Sequence, residues 1–163
     1  MINENSFRTA GPEEFLVSAE CGLHKLHKNA MTAAWGGLGK MWGLNIAEIV
    51  LRPQRFTKPL IDKSGFFGLS FLPFEKFDSQ LNYFGSVSGR DEDKIAKSGL
   101  KIDYYKGVPY FLDSRLVIIC RTLFSQPMKE ENFTDRKIID TWYPLKDFHV
   151  LYIGEIVKVY EKL

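Results

Sequence analysis

Short stretches rich in apolar residues recur along the chain, and one of them alternates between two faces with the two-residue period of a β-strand. In residues 29–37 this alternation places Met31, Ala33 and Trp35 on one face of a predicted strand and the intervening side chains on the other. Two glycines follow, and glycine lets a backbone or a ligand come close. Two interpretations are open: this stretch is the wall of a binding site, or it is a core strand that ends in a turn.

Seven further stretches have the composition of strands, because apolar, β-branched and aromatic residues dominate them. They are residues 14–20, 41–51, 65–72, 110–112, 114–123, 138–143 and 148–160. Gly154 interrupts the last stretch and predicts a bend or bulge there. The most polar loop is predicted at residues 126–136.

Short helices are predicted between some of these strands. Residues 58–63 form the first, with Thr57 as its cap and Pro59 in its first turn. Apolar residues at offsets of three and four predict a second helix from Phe74 that ends before Gly85. A third is predicted from Ser88 to Gly99. Because the strands and helices do not alternate regularly, we expect a mainly β, antiparallel barrel with helical insertions.

Composition narrows the class of protein. The length of 163 residues is ordinary for one domain, and we expect a single domain over residues 1–163. A net charge of +2 argues against a nucleic-acid or anionic-membrane surface. Residues 1–10 are polar, and no apolar run approaches the roughly 18 residues of a spanning helix, so we expect a cytoplasmic protein. The 13 Phe, 7 Tyr and 3 Trp favour a ligand pocket with flat walls.

Metal and thiol chemistry find little support in the sequence. Cys21 and Cys120 are far apart and lack the spacing of a zinc site, and Cys120 falls inside an apolar run, where we expect a buried, unreactive thiol. His24 and His27 stand three residues apart without a carboxylate nearby, so we predict solvent-facing loop histidines and no metal site.

Residues 52–57 have the composition of an anion site. Arg52 and Arg55 are followed by the Thr57 hydroxyl, and Pro53 prevents the preceding strand from continuing. The two guanidinium groups and the free N–H groups of a following helix could converge on one phosphate. The alternative is that both arginines are surface charges and Thr57 only caps the helix.

A second candidate anion site begins at Ser88. Ser88 and Asp91 have the spacing of a capping box, so a helix start is predicted there. Arg90 and Lys94 would add positive charge near this helix start. An ordinary exposed, capped helix is the competing interpretation.

Four stretches, taken in order, resemble one family. They are Asn-Ala-Met-Thr-Ala-Ala-Trp at 29–35, Arg-Pro-Gln-Arg-Phe-Thr at 52–57, Ser-Gly-Arg-Asp-Glu-Asp-Lys at 88–94, and His-Val-Leu-Tyr-Ile-Gly-Glu-Ile-Val at 149–157. Their order and spacing resemble the flavin reductase-like, FMN-binding split-barrel family, which includes flavoredoxin and NAD(P)H:flavin oxidoreductases. The flavoredoxin-like branch is the nearer one, and the resemblance covers nearly the whole chain.

This resemblance implies a homodimer of Greek-key, antiparallel split β-barrels that each bind FMN non-covalently near the subunit interface. It implies a flavin site formed by Asn29, Met31, Thr32, Ala33, Ala34, Trp35, Arg52, Arg55, Phe56, Thr57, Ser88, Gly89, Arg90, Asp91 and Lys94. His149 corresponds to the histidine of the family's Asp-His-x4-Gly pattern, which lies near the nicotinamide in the reductases. Here Phe148 stands where that pattern has Asp, and Asp147 lies one position earlier.

The implied function is electron transfer from NAD(P)H to flavin, or the role of a flavoredoxin-like carrier with a redox partner protein. Either one asks little of acid or base side chains, because the flavin carries the electrons and the protein positions it. Small residues such as Ala33 and Ala34 would leave room for a hydride donor at the ring. The alternative is a non-catalytic β-barrel that binds another ligand, nucleic acid or a protein partner.

Overall fold

The computed structural model describes residues 14–22 and 28–162. Strands dominate these residues, as the strand-like stretches of the sequence predict. The strands are β1 (Phe15–Glu20), β2 (Lys28–Ala33), β3 (Gly36–Met41), β4 (Leu44–Leu51), β5 (Phe66–Phe71), β6 (Ile102–Tyr105), β7 (Val108–Phe111), β8 (Leu116–Pro127) and β9 (Val150–Glu161). The helices are α1 (Thr57–Ser64), α2 (Phe74–Ser86), α3 (Lys94–Lys97) and α4 (Arg136–Trp142), with a 3-10 turn at Glu130–Asn132.

Seven of these strands form one antiparallel sheet in the order β2-β1-β5-β8-β9-β4-β3, and β6 and β7 form a separate hairpin. The long neighbours β8 and β9 hold the middle of the sheet together. The expected mainly β, antiparallel fold with helical insertions is therefore confirmed. Within the described residues, no helix has both the length and the apolar character needed to cross a lipid bilayer.

The main core is formed by side chains of six strands of the sheet, β1, β2, β4, β5, β8 and β9, together with helix α1. Phe15, Phe67 and Phe71 are almost completely buried there, and the Phe15 and Phe71 rings lie 5.2 Å apart. Cys120 is fully buried in the same cluster, and burial raises the pKa of its thiol. Cys120 is thus the unreactive core residue that the sequence predicts.

Gly154 is a contact point between strands and core. A Cβ atom at this position would lie 2.7 Å from the Phe67 ring and 2.8 Å from the Cys120 Cβ. The predicted irregularity is present, because Thr122 pairs with Gly154 whereas Phe124 pairs with Ile153. The extra residue, however, belongs to β8, the strand opposite Gly154.

Two predicted strands near the β3–β4 hairpin have wrong end points. The predicted strand 41–51 is interrupted, because β3 turns into β4 at Trp42 and Gly43, whose φ angles are 52° and 75°. A two-residue hairpin turn of this kind requires positive φ angles, and an apolar Trp at the turn hides it from a hydrophobicity pattern. The predicted strand 29–37 likewise ends at Ala33, and its glycines begin β3.

The predicted strand 138–143 is also wrong, because this segment is the helix α4. The side chain of Asp135 accepts a hydrogen bond from the Lys137 N–H and caps the helix start. Ile139 and Tyr143 are buried on one side of the segment. Capping and packing therefore override the strand preference of its β-branched and aromatic residues.

Helix α2 runs through Gly85 to Ser86, slightly beyond its predicted end, and contains non-helical backbone at Phe77. It packs against β2, where the Thr32 hydroxyl donates a 2.6 Å hydrogen bond to the Leu81 carbonyl. This contact fixes the strand that carries the predicted flavin residues. The hairpin strand β6 has no counterpart in the sequence prediction.

Candidate functional site

Two adjoining pockets lie where the predicted site residues converge, and they share Met31 and Arg55. Their volumes are 190 Å³ for the first and 370 Å³ for the second. Pockets for small ligands span roughly 300 to 1,000 Å³, so one ligand could extend across both. The first, the aromatic pocket, is lined by Met31, Thr32, Ala33, Ala34, Trp35, Val50, Arg52, Arg55, Trp142 and His149. The second, the basic pocket, is lined by Asn29, Met31, Gln54, Arg55, Phe56, Ser86, Val87, Ser88, Gly89 and Lys94.

Strand β2 runs along both pockets and is held at each end by a side-chain hydrogen bond. Thr32 bonds to α2, as described above, and the Asn29 Nδ2 donates a 2.9 Å bond to the Thr57 hydroxyl at the start of α1. Asn29 is buried, whereas Ala34 and Trp35 are exposed. The stretch is thus a core strand at its start and a pocket wall at its end, which joins the two interpretations of its sequence.

Aromatic rings meet at the outer side of the aromatic pocket. Trp35 and Trp142 pack edge to face, with ring centroids 5.0 Å apart and planes at 87°. Trp35 also lies 5.0 Å from the His149 ring. These three rings give the pocket flat walls, as the aromatic composition predicts.

His149 is a buried, neutral imidazole. Its Nδ1 and the Tyr143 hydroxyl share a 2.8 Å hydrogen bond. Burial and the nearby Arg52 lower the pKa of His149 to about 4, although Asp147 acts in the opposite direction. At neutral pH His149 therefore offers the pocket hydrogen bonding without charge.

The two arginines of the predicted anion site have different surroundings. Arg52 lines only the aromatic pocket and forms an ion pair with Asp147, whose pKa it lowers together with Gln54 through hydrogen bonds. Arg55 lines both pockets and donates a 3.1 Å hydrogen bond to the Gly85 carbonyl. Among the described residues, no carboxylate forms an ion pair with Arg55.

Lys94 places a second positive charge at the basic pocket. Its side chain is only 3% exposed, and its Nζ donates a 2.9 Å hydrogen bond to the Phe84 carbonyl. Burial and the nearby Arg55 lower the pKa of Lys94 to about 8. A buried ammonium beside a guanidinium makes this pocket favourable for an anion.

The prediction that Ser88 caps the start of a helix is wrong. The cap is Asp93, which accepts a hydrogen bond from the Ala96 N–H, and α3 is only four residues long. Ser88 instead accepts a 3.2 Å hydrogen bond from the Arg90 N–H within a turn. A Cβ atom at Gly89 would overlap the Asn29 Oδ1, so only glycine fits this turn against β2.

Three predicted residues lie behind or beside the pockets and do not line them. Thr57 is fully buried and accepts the Asn29 hydrogen bond; the capping position of α1 is Phe56, without a side-chain cap. Thr57 is therefore not the predicted cap. Arg90 lies over the Phe56 ring at 5.0 Å and donates a hydrogen bond to the Gln54 carbonyl, and Asp91 is exposed.

Five lining residues were not predicted: Val50, Gln54, Ser86, Val87 and Trp142. Gln54 lies inside the predicted segment 52–57, and Ser86 and Val87 directly precede Ser88, so their neighbours carried a usable signal. Trp142 carried none, because it belongs to the segment predicted as a strand. No cluster of three metal-ligating side chains occurs in the described part of the chain, and His24 and His27 lie outside that part.

Comparison with known proteins gives this geometry a family. The model of the flavin reductase like domain matches residues 41–163, which includes half of the residues that line the aromatic pocket and most of those that line the basic pocket, but not β2. The chain belongs to the flavin reductase like domain family. The split-barrel relationship that the four sequence stretches indicate is thereby confirmed.

Solved structures have the same fold as this flavin reductase-like chain. An FMN-binding protein from Thermus thermophilus with bound p-hydroxybenzaldehyde is 24% identical, with a TM-score of 0.68, over 92% of this chain and 71% of that one. Flavoredoxin from Methanosarcina acetivorans is 22% identical, with a TM-score of 0.68, over 99% and 74%. A Streptomyces globisporus NADH:FAD oxidoreductase, in complex with NAD and FAD fragments, is 12% identical, with a TM-score of 0.68, over 92% and 74%.

A curated relative of another kind matches a shorter stretch. Cytochrome f of Bigelowiella natans is 36% identical over 74 residues, which are 42% of this chain and 24% of that protein. The chain thus spans about a quarter of the length of this curated relative.

Proposed function

We propose that this protein is a flavoprotein that binds FMN non-covalently, with the flavin ring in the aromatic pocket and the phosphate in the basic pocket. The observation that carries the proposal is the pair of adjoining pockets that share Met31 and Arg55. One pocket has flat aromatic walls, and the other has buried positive charge. A ligand with a planar ring at one end and an anion at the other suits both.

The donor set of the basic pocket fits a phosphate group. Arg55 and Lys94 bring two positive charges, and neither is in an ion pair with a described carboxylate. Ser88 adds a hydroxyl group, and Gly89 lets the backbone come close. Charge-assisted hydrogen bonds to phosphate are the strongest that such groups form. Arg55, Lys94 and Ser88 would therefore hold the phosphate.

The aromatic pocket fits a flat ring system. Residues 32–35 would line the ring, and the small side chains of Ala33 and Ala34 leave space beside it. When bound, FMN supplies reversible one- and two-electron chemistry. The chain positions the reactants, and His149 presents a neutral ring to this space.

The proposed activity is electron transfer, either from NAD(P)H to flavin or as a flavoredoxin-like carrier that serves a redox partner protein. The family and the fold shared with flavoredoxin and with an NADH:FAD oxidoreductase support both forms. His149 next to Trp35 is the proposed contact for a nicotinamide ring. Arg90 and Asp91 do not line the basic pocket and are not among the proposed phosphate contacts.

Anaerobic stopped-flow mixing of the flavin-loaded protein with NADH and with NADPH separates the two forms. Loss of the flavin absorbance at about 450 nm within seconds identifies a reductase and its preferred donor, whereas no bleaching by either donor identifies a carrier. A purified chain that is colourless and takes up no FMN contradicts the proposal and favours the alternative of a non-catalytic binding module.

We also propose that the chain forms a homodimer through the β3 end of the sheet. β3 is the last strand in the sheet order, and Leu38 and Trp42 are exposed at 39% and 61%. An exposed apolar edge strand is a ready surface for another chain. A dimer mass in light scattering supports this assembly, and a monomer mass contradicts it.

Cytoplasmic location is part of the proposal. Cys21 and Cys120 are both free and buried, which suits a compartment that keeps thiols reduced.

A further inference from the structure

The Arg52 side chain is fully engaged with one distant segment of the chain, residues 142–147. It forms an ion pair with the Asp147 carboxylate, and its Nη2 donates a 2.9 Å hydrogen bond to the Trp142 carbonyl. Its guanidinium also lies over the Tyr143 ring, 5.5 Å from the centroid. A planar guanidinium can make these three contacts together, because its donors point in fixed, different directions.

The segment that Arg52 holds forms part of the aromatic pocket. Trp142 is half exposed, and its ring packs on Trp35 at the pocket wall. Tyr143 follows directly and shares its hydroxyl hydrogen bond with His149. The positions of two of the three wall rings, Trp142 and His149, thus depend on where residues 142–147 lie.

Arg52 is poorly suited to the phosphate role that its sequence neighbourhood indicates. It does not line the basic pocket, and its charge is already balanced by Asp147. Asp147 also accepts a 2.9 Å hydrogen bond from Gln54, so the carboxylate is held on this side of the chain by two residues. An anion at Arg52 would have to compete with a carboxylate in contact, whereas Arg55 has no such competitor among the described residues.

We propose that Arg52 is a positioning residue: it holds residues 142–147 so that Trp142 stays packed on Trp35, and it thereby sets the width of the aromatic pocket. The contacts that hold residues 142–147 in place lie within the chain, whereas the effect on a bound ligand rests on the proposed flavin function.

Hydrogen–deuterium exchange of the flavin-free full chain tests the hold itself. We expect Arg52→Gln and Asp147→Asn each to speed amide exchange in residues 136–147 by about tenfold, which corresponds to about 1.4 kcal/mol. The double variant should exchange no faster than the faster single variant, because both changes break the same ion pair between Arg52 and Asp147. Arg121→Gln is the matched control, since it removes the ion pair with Glu155 elsewhere on the sheet. Unchanged exchange in the two variants overturns the proposal.

Flavin titration separates positioning from phosphate contact. We expect Arg52→Gln to weaken the binding of FMN and of riboflavin by the same factor, because the pocket wall would contact the ring that both ligands share. Arg52→Lys should restore part of the loss, since an ammonium can pair with Asp147 but cannot also reach Trp142 and Tyr143. A loss confined to FMN overturns the proposal. If the unchanged chain binds neither flavin, the proposed function fails and the exchange experiment alone decides whether Arg52 holds the segment.

Discussion

At the scale of single residues, the site rests on two positive charges that form no ion pair with a described carboxylate: Lys94, which is buried, and Arg55, which is half-buried. Burying a charge is costly unless a partner of opposite charge is present, so these residues favour a state in which an anion is bound. Arg52 shows the contrast, because Asp147 already satisfies its charge. The difference between the two arginines is the reason to place the phosphate at Arg55.

Arg55→Ala should weaken FMN binding by about 1.5 to 3 kcal/mol, the usual contribution of a hydrogen bond to a charged group. Riboflavin, which lacks the phosphate, should lose little affinity. Fluorescence titration with both ligands measures the difference. Equal losses for FMN and riboflavin would remove Arg55 from the phosphate role.

If the proposed phosphate site is correct, Lys94 should make FMN affinity depend on pH. Its pKa is lowered to about 8, and a phosphate would favour the protonated form, so binding takes up protons. We therefore expect FMN affinity to fall as pH rises above about 8, whereas riboflavin affinity stays level. The fall should be smaller in Lys94→Gln, which has no proton to lose there. A pH profile identical for both proteins between pH 7 and 10 would contradict this role.

His149 makes stability depend on pH in the opposite range. Its pKa is about 4 in the folded chain, against 6.5 for a free imidazole, so between these values the unfolded chain binds more protons. The contribution of His149 to the free energy of unfolding is fully present above pH 6.5 and is lost as pH falls toward 4, by up to about 1.4 kcal/mol per pH unit. Urea unfolding at pH 5 and pH 7 should show a smaller difference for His149→Gln. An NMR titration of His149 with a pKa near 6.5 would contradict the prediction.

Much of the site composition could be predicted from the sequence, but the roles within it could not. The stretches 29–35, 52–57 and 88–94 do meet at the two pockets. In the sequence Arg52 and Arg55 are equivalent members of one basic segment. Their separation depends on Asp147 and Trp142, which come close only in the folded chain.

At the scale of elements, errors arose where local composition and tertiary context disagree. α4 has the β-branched and aromatic residues of a strand, but Asp135 caps its start and Ile139 is buried, so capping and packing make the segment a helix. The β3–β4 turn carries an apolar Trp42, so no polar residue marked it. Strands that are buried along almost their whole length, such as β1 and β5, were predicted within one or two residues, because they are short runs of mostly apolar residues.

Gly154 tests how tightly β9 lies on the core. In Gly154→Ala the new methyl group would meet the Phe67 ring and Cys120 at less than 3 Å, so neighbours must shift. Overpacking of this kind costs about 1 to 3 kcal/mol of unfolding free energy. Gly37→Ala is the matched control, because a Cβ atom there meets nothing within 4 Å. Equal urea midpoints for the two variants would show that the core has more room than these distances allow.

At the scale of the whole molecule, the sheet brings together segments that are distant in sequence. β2 is at one end of the sheet order, and β9 and β4 lie toward the other, yet Met31, Val50 and His149 line one pocket. The mainly β, antiparallel class follows from the number of strand-like stretches and from the lack of a regular succession of strands and helices. The strand order does not, because long-range pairing depends on packing that no local pattern records.

Calorimetric titration of the flavin-free full chain with FMN tests the proposed site most directly. We expect one saturable event with one FMN per chain, and an affinity for FMN at least about tenfold above that for riboflavin, because the phosphate contributes charge-assisted hydrogen bonds. Absence of FMN binding, or equal affinities for the two flavins, would contradict a site that spans the aromatic and basic pockets.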